Sequence, residues 1–259
     1  MHGSNLSVVA WVTFNICAFT VALEVSLLKI CILGGTGNMG TGLTVRWALS
    51  HDIFIGSRSP ERAGKMAERL RRLAVGFYQD QMKGSITGLE NADAVKMAEV
   101  VVVCFPPEAT VQAVTELSGH LREGQIVVST VVPMRRRNKL FYFKSLGAEN
   151  GEMSAAEVIQ GLVKPIPVVS AFQTVPAAYL NNIDAVLNLD VLLAGDDEVA
   201  LSIVSRLVRD IANLRPLKVG PLVNSKFVEA ITPLLLNAAI LNGLHDPSIR
   251  IIPWMPTSL

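Results

Sequence analysis

The sequence predicts an α/β fold, a doubly wound parallel sheet followed by a small C-terminal α+β domain. Three observations predict it. Short apolar runs alternate with longer segments of helical apolar spacing from residue 29 to residue 172. Two of those runs, KICIL at 29–33 and EVVVVCF at 99–105, are nearly continuous in apolar residues, as strands covered on both faces must be. The first run ends in glycines that open directly onto a helical pattern.

Taken in order, residues 29–33 make the first strand and 38–49 the first helix, with Met39, Leu43, Trp47 and Ala48 close to helical spacing. Residues 52–55 make the second strand, and 60–73 a charged amphipathic helix with Pro60 in its first turn. The third strand is 99–105, followed by a helix at 108–121 and a strand at 125–128. A loop over 133–152 holds the cations Arg135, Arg136, Arg137, Lys139 and Lys144. Ser154-Ala-Ala-Glu157 is a capping box opening a helix to about Val163, and 167–172 is another strand. Strands and helices alternating at these lengths give a parallel sheet with helices on both faces.

Beyond residue 176 the pattern changes to a strand at 191–194, an acid-opened helix at 197–214, a strand at 217–219 and a long helix at 225–241. That last helix is apolar nearly all round and contains Pro233, which predicts a buried position in a cleft or a dimer interface. A boundary at 174–177 divides a first domain, 29–175, from a smaller one, 176–259, that closes over it.

Composition narrows the function. The 259 residues are 50% hydrophobic and 17% charged, and 23 Lys and Arg against 22 Asp and Glu leave a net charge of +1. A nucleic-acid binder would carry a basic excess, and a disordered chain would lack the apolar content. The mean hydropathy of +0.41 is raised by the front of the chain, where residues 6–28 carry Glu24 as their single charge. That length would span a bilayer, but Glu24 and Asn15 are costly there and no basic residue precedes Lys29. Residues 1–28 are therefore expected to be an over-extended start, with the true initiator at Leu28 or Val25; the alternative is a genuine anchor. Cys17, Cys31 and Cys104 lie in apolar runs without CxxC spacing, which suits buried free thiols in a reducing, cytoplasmic setting.

The chemistry-bearing signal is Gly35-Thr36-Gly37-Asn38-Met39-Gly40, a G-x-G-x-x-G pattern placed between a strand and a helix. In that context Gly35 permits the tight turn, Gly37 lets backbone approach a pyrophosphate, and Gly40 lets the helix pack on the strand. The helix N-terminus adds N–H donors and positive dipole. The fold is therefore expected to be of the Rossmann type, binding a dinucleotide. An NAD site would place an acid roughly twenty residues beyond the first glycine. This chain has Gly56-Ser57-Arg58 there, then Arg62, and a hydroxyl with guanidinium groups favours the 2′-phosphate of NADP(H). Cys104-Phe105-Pro106-Pro107 takes the chain abruptly out of a strand, so Pro107 and Val111 flank the cofactor's span, and residues 170–178 line its nicotinamide end.

Acid–base groups are scarce. His2, His51, His120 and His245 are scattered, with only His245 in a region that closes over a cleft, and a surface position is the simpler expectation for it. No Ser-His-Asp order, Tyr-x-x-x-Lys pair or metal-ligand spacing is present. Hydride transfer between two positioned cofactors needs few such groups, because the cofactors supply the chemistry.

The segments KICILGGTGNMGTGL, IGSR, GSITGLENADA, VVVCFPPEATV, VVSAFQTVPAAYL and LRPLKVGPLVNSKFVEAITPLLLNAAILNG resemble the coenzyme F420-dependent NADP oxidoreductases, over nearly everything from residue 29 to about residue 252. The resemblance implies reversible hydride transfer between C4 of NADPH and C5 of a deazaflavin, stacked in a cleft between the Rossmann domain and the C-terminal domain. It implies that Thr36, Gly37, Asn38 and Met39 hold the pyrophosphate, and Ser57, Arg58 and Arg62 the 2′-phosphate. Pro107, Val111 and Ala177 would line the NADP channel, with Pro247 near the deazaflavin; Gln173 stands where relatives often have His. Coenzyme F420 ends in a phosphodiester and a glutamate tail, which the basic stretch from Arg135 to Lys144 would attract. A homodimer is expected. Alternatives on the same scaffold are an imine, pyrroline-carboxylate or ferric reductase, and a non-catalytic NADP-sensing module.

Overall fold

The computed structural model of the chain describes residues 27–146 and 153–252. The front segment lies outside the described residues except for Leu27 and Leu28. No helix among the described residues is long and apolar enough to cross a membrane.

Strand β1 (Lys29–Leu33) leads through α1 (Asn38–Trp47) to β2 (Asp52–Ser57), then through α2 (Pro60–Tyr78) to β3 (Ile86–Glu90). Helix α3 (Asn91–Met97) returns the chain to β4 (Val100–Val103) on the other side of β1, and α4 (Pro107–Ser118) leads to β5 (Ile126–Ser129). Strands β6 (Met134–Arg137) and β7 (Leu140–Phe143) form a separate ribbon before α5 (Ala155–Val163) and β8 (Val168–Ser170). Then follow α6 (Ala177–Asn181), β9 (Leu189–Gly195), α7 (Glu198–Arg209), β10 (Leu214–Lys218) and α8 (Ser225–Asn242).

The main sheet has eight strands in the order β10-β9-β8-β5-β4-β1-β2-β3. All neighbours are parallel except β8 and β9. Because the chain reverses direction at β1, a crevice opens between the carboxyl ends of β1 and β4, where open α/β sheets bind ligands. The strands beyond the expected boundary at 174–177 continue this sheet.

Two apolar layers cover the sheet. Alternate residues of β1 serve them, Ile30 and Ile32 with α1, α2 and α7, and Cys31 and Leu33 with α3, α4 and α5. Each fully buried aliphatic side chain contributes roughly 1.5–3 kcal/mol of transfer free energy. Burial also pushes the Cys31 thiol well above the usual range, so it packs as a hydrophobe.

Several elements differ from the sequence reading. Strand β3 and helix α3 fall where no element was expected, because β3 is an edge strand with only Ile86 buried and its ITGLE run lacks a continuous apolar face. The predicted loop at 133–152 contains a hairpin, closed by Asn138 and Lys139 at φ 50° and 70° in the left-handed geometry that two-residue hairpin turns require. Helix α7 ends at Arg209, not 214, and Asn213 at φ 65° turns the chain into β10, whose Pro216 an edge strand tolerates. Helix α8 is not buried all round: Ser225, Val228, Glu229 and Pro233 are covered, while Phe227, Leu234 and Leu241 are 63%, 66% and 68% exposed. It lies along β7 and the start of α5 and so hides one stripe only.

The short helix α6 is fastened to α1. Arg46 donates to the carbonyls of Leu180, Tyr179 and Asn182 at 3.0, 3.0 and 2.8 Å, and a methyl on Gly42 would lie 2.5 Å from Leu180 Cβ. At the far edge, buried Asp190 accepts a fork of hydrogen bonds from Arg215 at 2.8 and 2.7 Å and one from the Ile251 N–H at 2.6 Å. The Arg215 guanidinium holds the Asp190 carboxyl below the usual carboxylate range.

Two outcomes follow from these contacts. Gly42→Ala is expected to cost about 2 kcal/mol in a denaturant titration by overpacking against Leu180, while Gly64→Ala in α2, where a methyl meets open space, is neutral or stabilising. Arg215→Ala is expected to lower the urea midpoint at neutral pH by stranding Asp190. Because the folded carboxyl titrates below its unfolded value, the pair's contribution is present above the unfolded pKa and lost as pH falls through the folded one. The gap between variant and wild type therefore closes in acid.

Candidate functional site

The chain leaves β1 through Gly34, whose φ of +73° is left-handed and whose added methyl would lie 2.8 Å from the Cys104 carbonyl oxygen. The loops after β1 and β4 are therefore in contact across the crevice. A methyl on Gly35 would meet Ile32 O and Ile55 Cγ2 at 2.9 Å, and one on Gly40 would meet Gly35 Cα at 2.6 Å. Only glycine lets α1 press so closely on the loop that precedes it. Gly37 is exposed, caps α1 with backbone alone, and the helix has no acid in its first turn.

Among the described helices, α2, α3, α5 and α7 are capped by the side chains of Ser59, Glu90, Ser154 and Asp197, and the other four are bare. Three of these, α1, α4 and α6, follow β1, β4 and β8 at the carboxyl edge. Their free N–H groups and dipoles make this edge receptive to an anion. Thr36 is half-buried in the loop, Asn38 is exposed, and Met39 packs its side chain on the core layer beneath.

At the end of β2, Ser57 Oγ accepts the Ser59 N–H at 3.2 Å, and Ser59 Oγ caps α2 by accepting the Arg62 N–H at 3.2 Å. Arg58 and Arg62 are both exposed, and among the described residues neither guanidinium has a carboxylate partner. Glu90 stands opposite Ser57 in the sheet register, yet its carboxylate accepts the Ala92 N–H at 3.1 Å and caps α3. The acid nearest Ser57 in register is thus committed elsewhere, leaving a hydroxyl and two cations suited to a phosphate monoester.

Pro107 is the first residue of α4, and Val111, 37% exposed, lies one turn on. Cys104 before them is half-buried, and desolvation pushes its thiol up to about 12, so it stays protonated and is no nucleophile. On the far side β8 exits through Phe172, a buried aromatic at φ 71° whose ring meets Trp47 edge-on at 5.6 Å. Such strain persists only where the surroundings over-determine it. Gln173 follows, donating through Nε2 to Ser129 O and Ser170 Oγ, both at 2.9 Å. Gln173 Oε1 and Ser129 Oγ are buried and have no partner among the described residues.

Ala177 opens α6, whose Asn181 reaches back to the glycine loop: its Nδ2 donates to Asn38 O and its Oδ1 accepts from Thr41 Oγ1, both at 2.7 Å. Pro247 is half-buried in the segment after α8, and its neighbour Ser248 donates to Thr174 O at 2.7 Å. The structure thus brings the glycine loop, Pro107, Ala177 and the stretch holding Pro247 to one edge of the sheet, with Ser57, Arg58 and Arg62 at the β2 end of it.

Helix α8 supplies functional positions that sequence reasoning quoted but gave no role. Glu229 is buried and accepts the Ala155 and Ala156 N–H groups at 2.9 and 3.2 Å, capping α5 from outside. Burial pushes its carboxyl up to about 8, against the pull of those two donors. Thr232 donates to Gln173 O at 2.7 Å, and Asn237 pairs with both the N–H and the carbonyl of Phe141 at 2.7 and 2.8 Å. The signal for them was polar side chains at spaced positions in an otherwise apolar helix.

His51 is fully buried, accepting the Leu28 N–H at Nδ1 (3.3 Å) with Nε2 3.0 Å from Asp210, and burial lowers its pKa. His245 is exposed, and His2 lies outside the described residues. Among the described residues no group of His, Cys, Asp and Glu could hold a metal ion. The described residues at this edge can bind, orient and exclude water.

A family profile described as "NADP oxidoreductase coenzyme F420-dependent" matches residues 29–133. The chain is 38% identical over 224 residues to an F420-dependent NADP reductase of Methanocaldococcus jannaschii, covering 86% of this chain and 98% of that one. It is 30% identical over 232 residues to an F420-dependent NADP reductase of Methanothermobacter thermautotrophicus, covering 88% and 97%. A solved structure of a candidate F420-dependent NADP-reductase from Arthrobacter sp. FB24 superposes with a TM-score of 0.69 at 20% identity, covering 87% of this chain and 100% of that one. With that breadth of identity along nearly the whole length of both reductases, the protein belongs to the F420-dependent NADP oxidoreductase family.

Proposed function

We infer that this chain is an oxidoreductase transferring a hydride reversibly between NADP(H) and the deazaflavin coenzyme F420. The observation that carries the reading is the 38% identity to an F420-dependent NADP reductase across 98% of that enzyme. The residues present fit the dinucleotide: a loop whose Gly34, Gly35 and Gly40 leave no room for a side chain, an uncapped helix behind it, and two guanidinium groups, without a carboxylate partner among the described residues, where an acid would reject a 2′-phosphate.

In this reading Gly35, Thr36, Gly37, Asn38 and Met39 receive the pyrophosphate through backbone N–H groups, and Ser57, Arg58 and Arg62 hold the 2′-phosphate. Pro107, Val111 and Ala177 line the channel to the nicotinamide, and Pro247 abuts the deazaflavin. The hydride chemistry, C4 of the nicotinamide to C5 of the deazaflavin, is supplied by the two rings when bound. The protein's part is orientation. Phe172 and the Gln173 bonds fix the β8 exit, α6 is bolted to the glycine loop through Asn181, and the proline-started α4 forms the facing wall. Holding two rings in a near-attack geometry supplies roughly 7–11 kcal/mol of a bimolecular barrier.

The exposed apolar stripe of α8, with Phe227, Leu234 and Leu241, supports a homodimer. The free cysteines Cys31 and Cys104 suit a reducing, cytoplasmic compartment.

Mixing purified protein with NADPH and oxidised F420 should bleach the deazaflavin's visible absorbance. Tight NADPH binding without bleaching would instead identify a sensor, and bleaching confined to an imine or ferric chelate would identify one of the other reductases. Arg58→Ala should raise the Michaelis constant for NADPH roughly tenfold or more, as loss of a charge-assisted contact does, with little effect on NADH. Equal effects on both cofactors would sink the 2′-phosphate assignment. Sedimentation should return twice the chain mass, and Leu234→Glu should return the monomer.

A further inference from the structure

The β6–β7 ribbon carries Arg135, Arg136, Arg137, Lys139 and Lys144, and among the described residues none has a carboxylate partner. Other cations are paired, Lys65, Arg72, Arg215 and Lys218 all meeting acids within 2.8 Å. In a chain with a net charge of +1, five unpaired cations on one hairpin are a local concentration of positive potential.

The ribbon is held rigidly. Its turn is a tight left-handed pair, its base is closed by the Lys144 N–H to Pro133 O at 3.0 Å, and Asn237 of α8 takes both backbone groups of Phe141. Arg136 lies over the Phe141 ring at 5.6 Å, so its guanidinium is pre-set rather than free. In register, Arg135 and Arg137 stand opposite Tyr142 and Leu140 and share one face of the ribbon, with Arg136 on the other. All three arginines are exposed.

Its place in the fold says which anion it serves. The ribbon leaves the carboxyl end of β5, and α8 bonds to it through Asn237 and to the β8 exit at Gln173 through Thr232. Five helical residues separate those two anchors, a rise of roughly 7.5 Å. The ribbon therefore stands beside the nicotinamide end of the cleft. Ser57, Arg58 and Arg62 lie at β2, three strands from β5, roughly 14 Å away. The hairpin's anion is thus a second one, distinct from the 2′-phosphate.

We propose that the β6–β7 hairpin is the binding site for the phosphodiester and glutamyl carboxylates of the deazaflavin's tail. The inference rests on the hydride-transfer reading above and adds to it a tail subsite separate from the ring site. Arginine forks match phosphate and carboxylate oxygens in bidentate pairs, and a rigid ribbon loses less entropy in presenting them than a loop would.

The test compares oxidised F420 with the riboside-level deazaflavin that lacks the phosphate and the glutamates, by titrating deazaflavin fluorescence at low and at physiological salt. Wild type should bind the full coenzyme about tenfold more tightly than the tail-less one at low salt, from several exposed pairs acting together, and the gap should narrow with salt. The R135A/R136A/R137A variant should lose that gap while keeping its affinity for the tail-less compound and for NADPH, and the R135K/R136K/R137K variant should retain most of it. A triple-alanine variant that binds F420 as wild type does would overturn the tail site alone. Failure of wild type to bind either deazaflavin would overturn both this site and the hydride-transfer reading.

Discussion

Helix α1 lies against its neighbours at distances only glycine permits. A methyl on Gly40 would come within 2.6 Å of Gly35 Cα, and one on Gly42 within 2.5 Å of Leu180 Cβ. The first contact brings the uncapped helix N-terminus down onto the loop after β1. The second brings α6, and with it Ala177 and Asn181, onto the same helix. Asn181 then bonds Asn38 in the loop itself. Glycine loop, helix dipole and the α6 segment with Ala177 are thus one packed unit, and separating α1 from either partner by the width of a methyl group would take it apart.

Helix α8 is the second organising element. Its polar side chains tie together pieces remote in sequence: Asn224 to the turn at Val219, Glu229 to the start of α5, Thr232 to the β8 exit, Asn237 to the hairpin. The apolar positions between them are partly left to solvent, which is why a helix that reads as uniformly hydrophobic is not uniformly covered. A buried carboxylate on two helix N–H groups would cost several kcal/mol if unpaired, so Glu229 also fixes the rotation of α8.

Much of this was legible from the residues. The strands of the central sheet announce themselves as near-continuous apolar runs because both faces are covered, and the glycine spacing marks the strand-to-helix turn because Gly35 and Gly40 each answer a close approach. What escaped was structure set by partners distant in sequence. Strand β3 has one buried residue, and its identity comes from pairing with β2. The hairpin's basic strand, MRRR, carries no apolar alternation, and only Asn138-Lys139 hints at its turn. Arg46 is buried under three carbonyls of α6, a partner that nothing in the local pattern of α1 names. Gly42 was visible, but its reason, Leu180, lies far along the chain. Local pattern reports burial; it does not report which segment provides it.

The site can bind, orient and exclude water through its described residues. Its nearest thiol is held protonated, its raised carboxyl is spent on helix N–H groups, and the buried His51 is bound to Asp210 away from it. Direct transfer between two positioned rings is the chemistry left to such a site. The most direct measurement is a single turnover in ordinary water with NADPH carrying deuterium at the transferred position of C4. Full retention of the label at C5 of the reduced deazaflavin is the predicted result; hydrogen from solvent at that carbon would contradict the account.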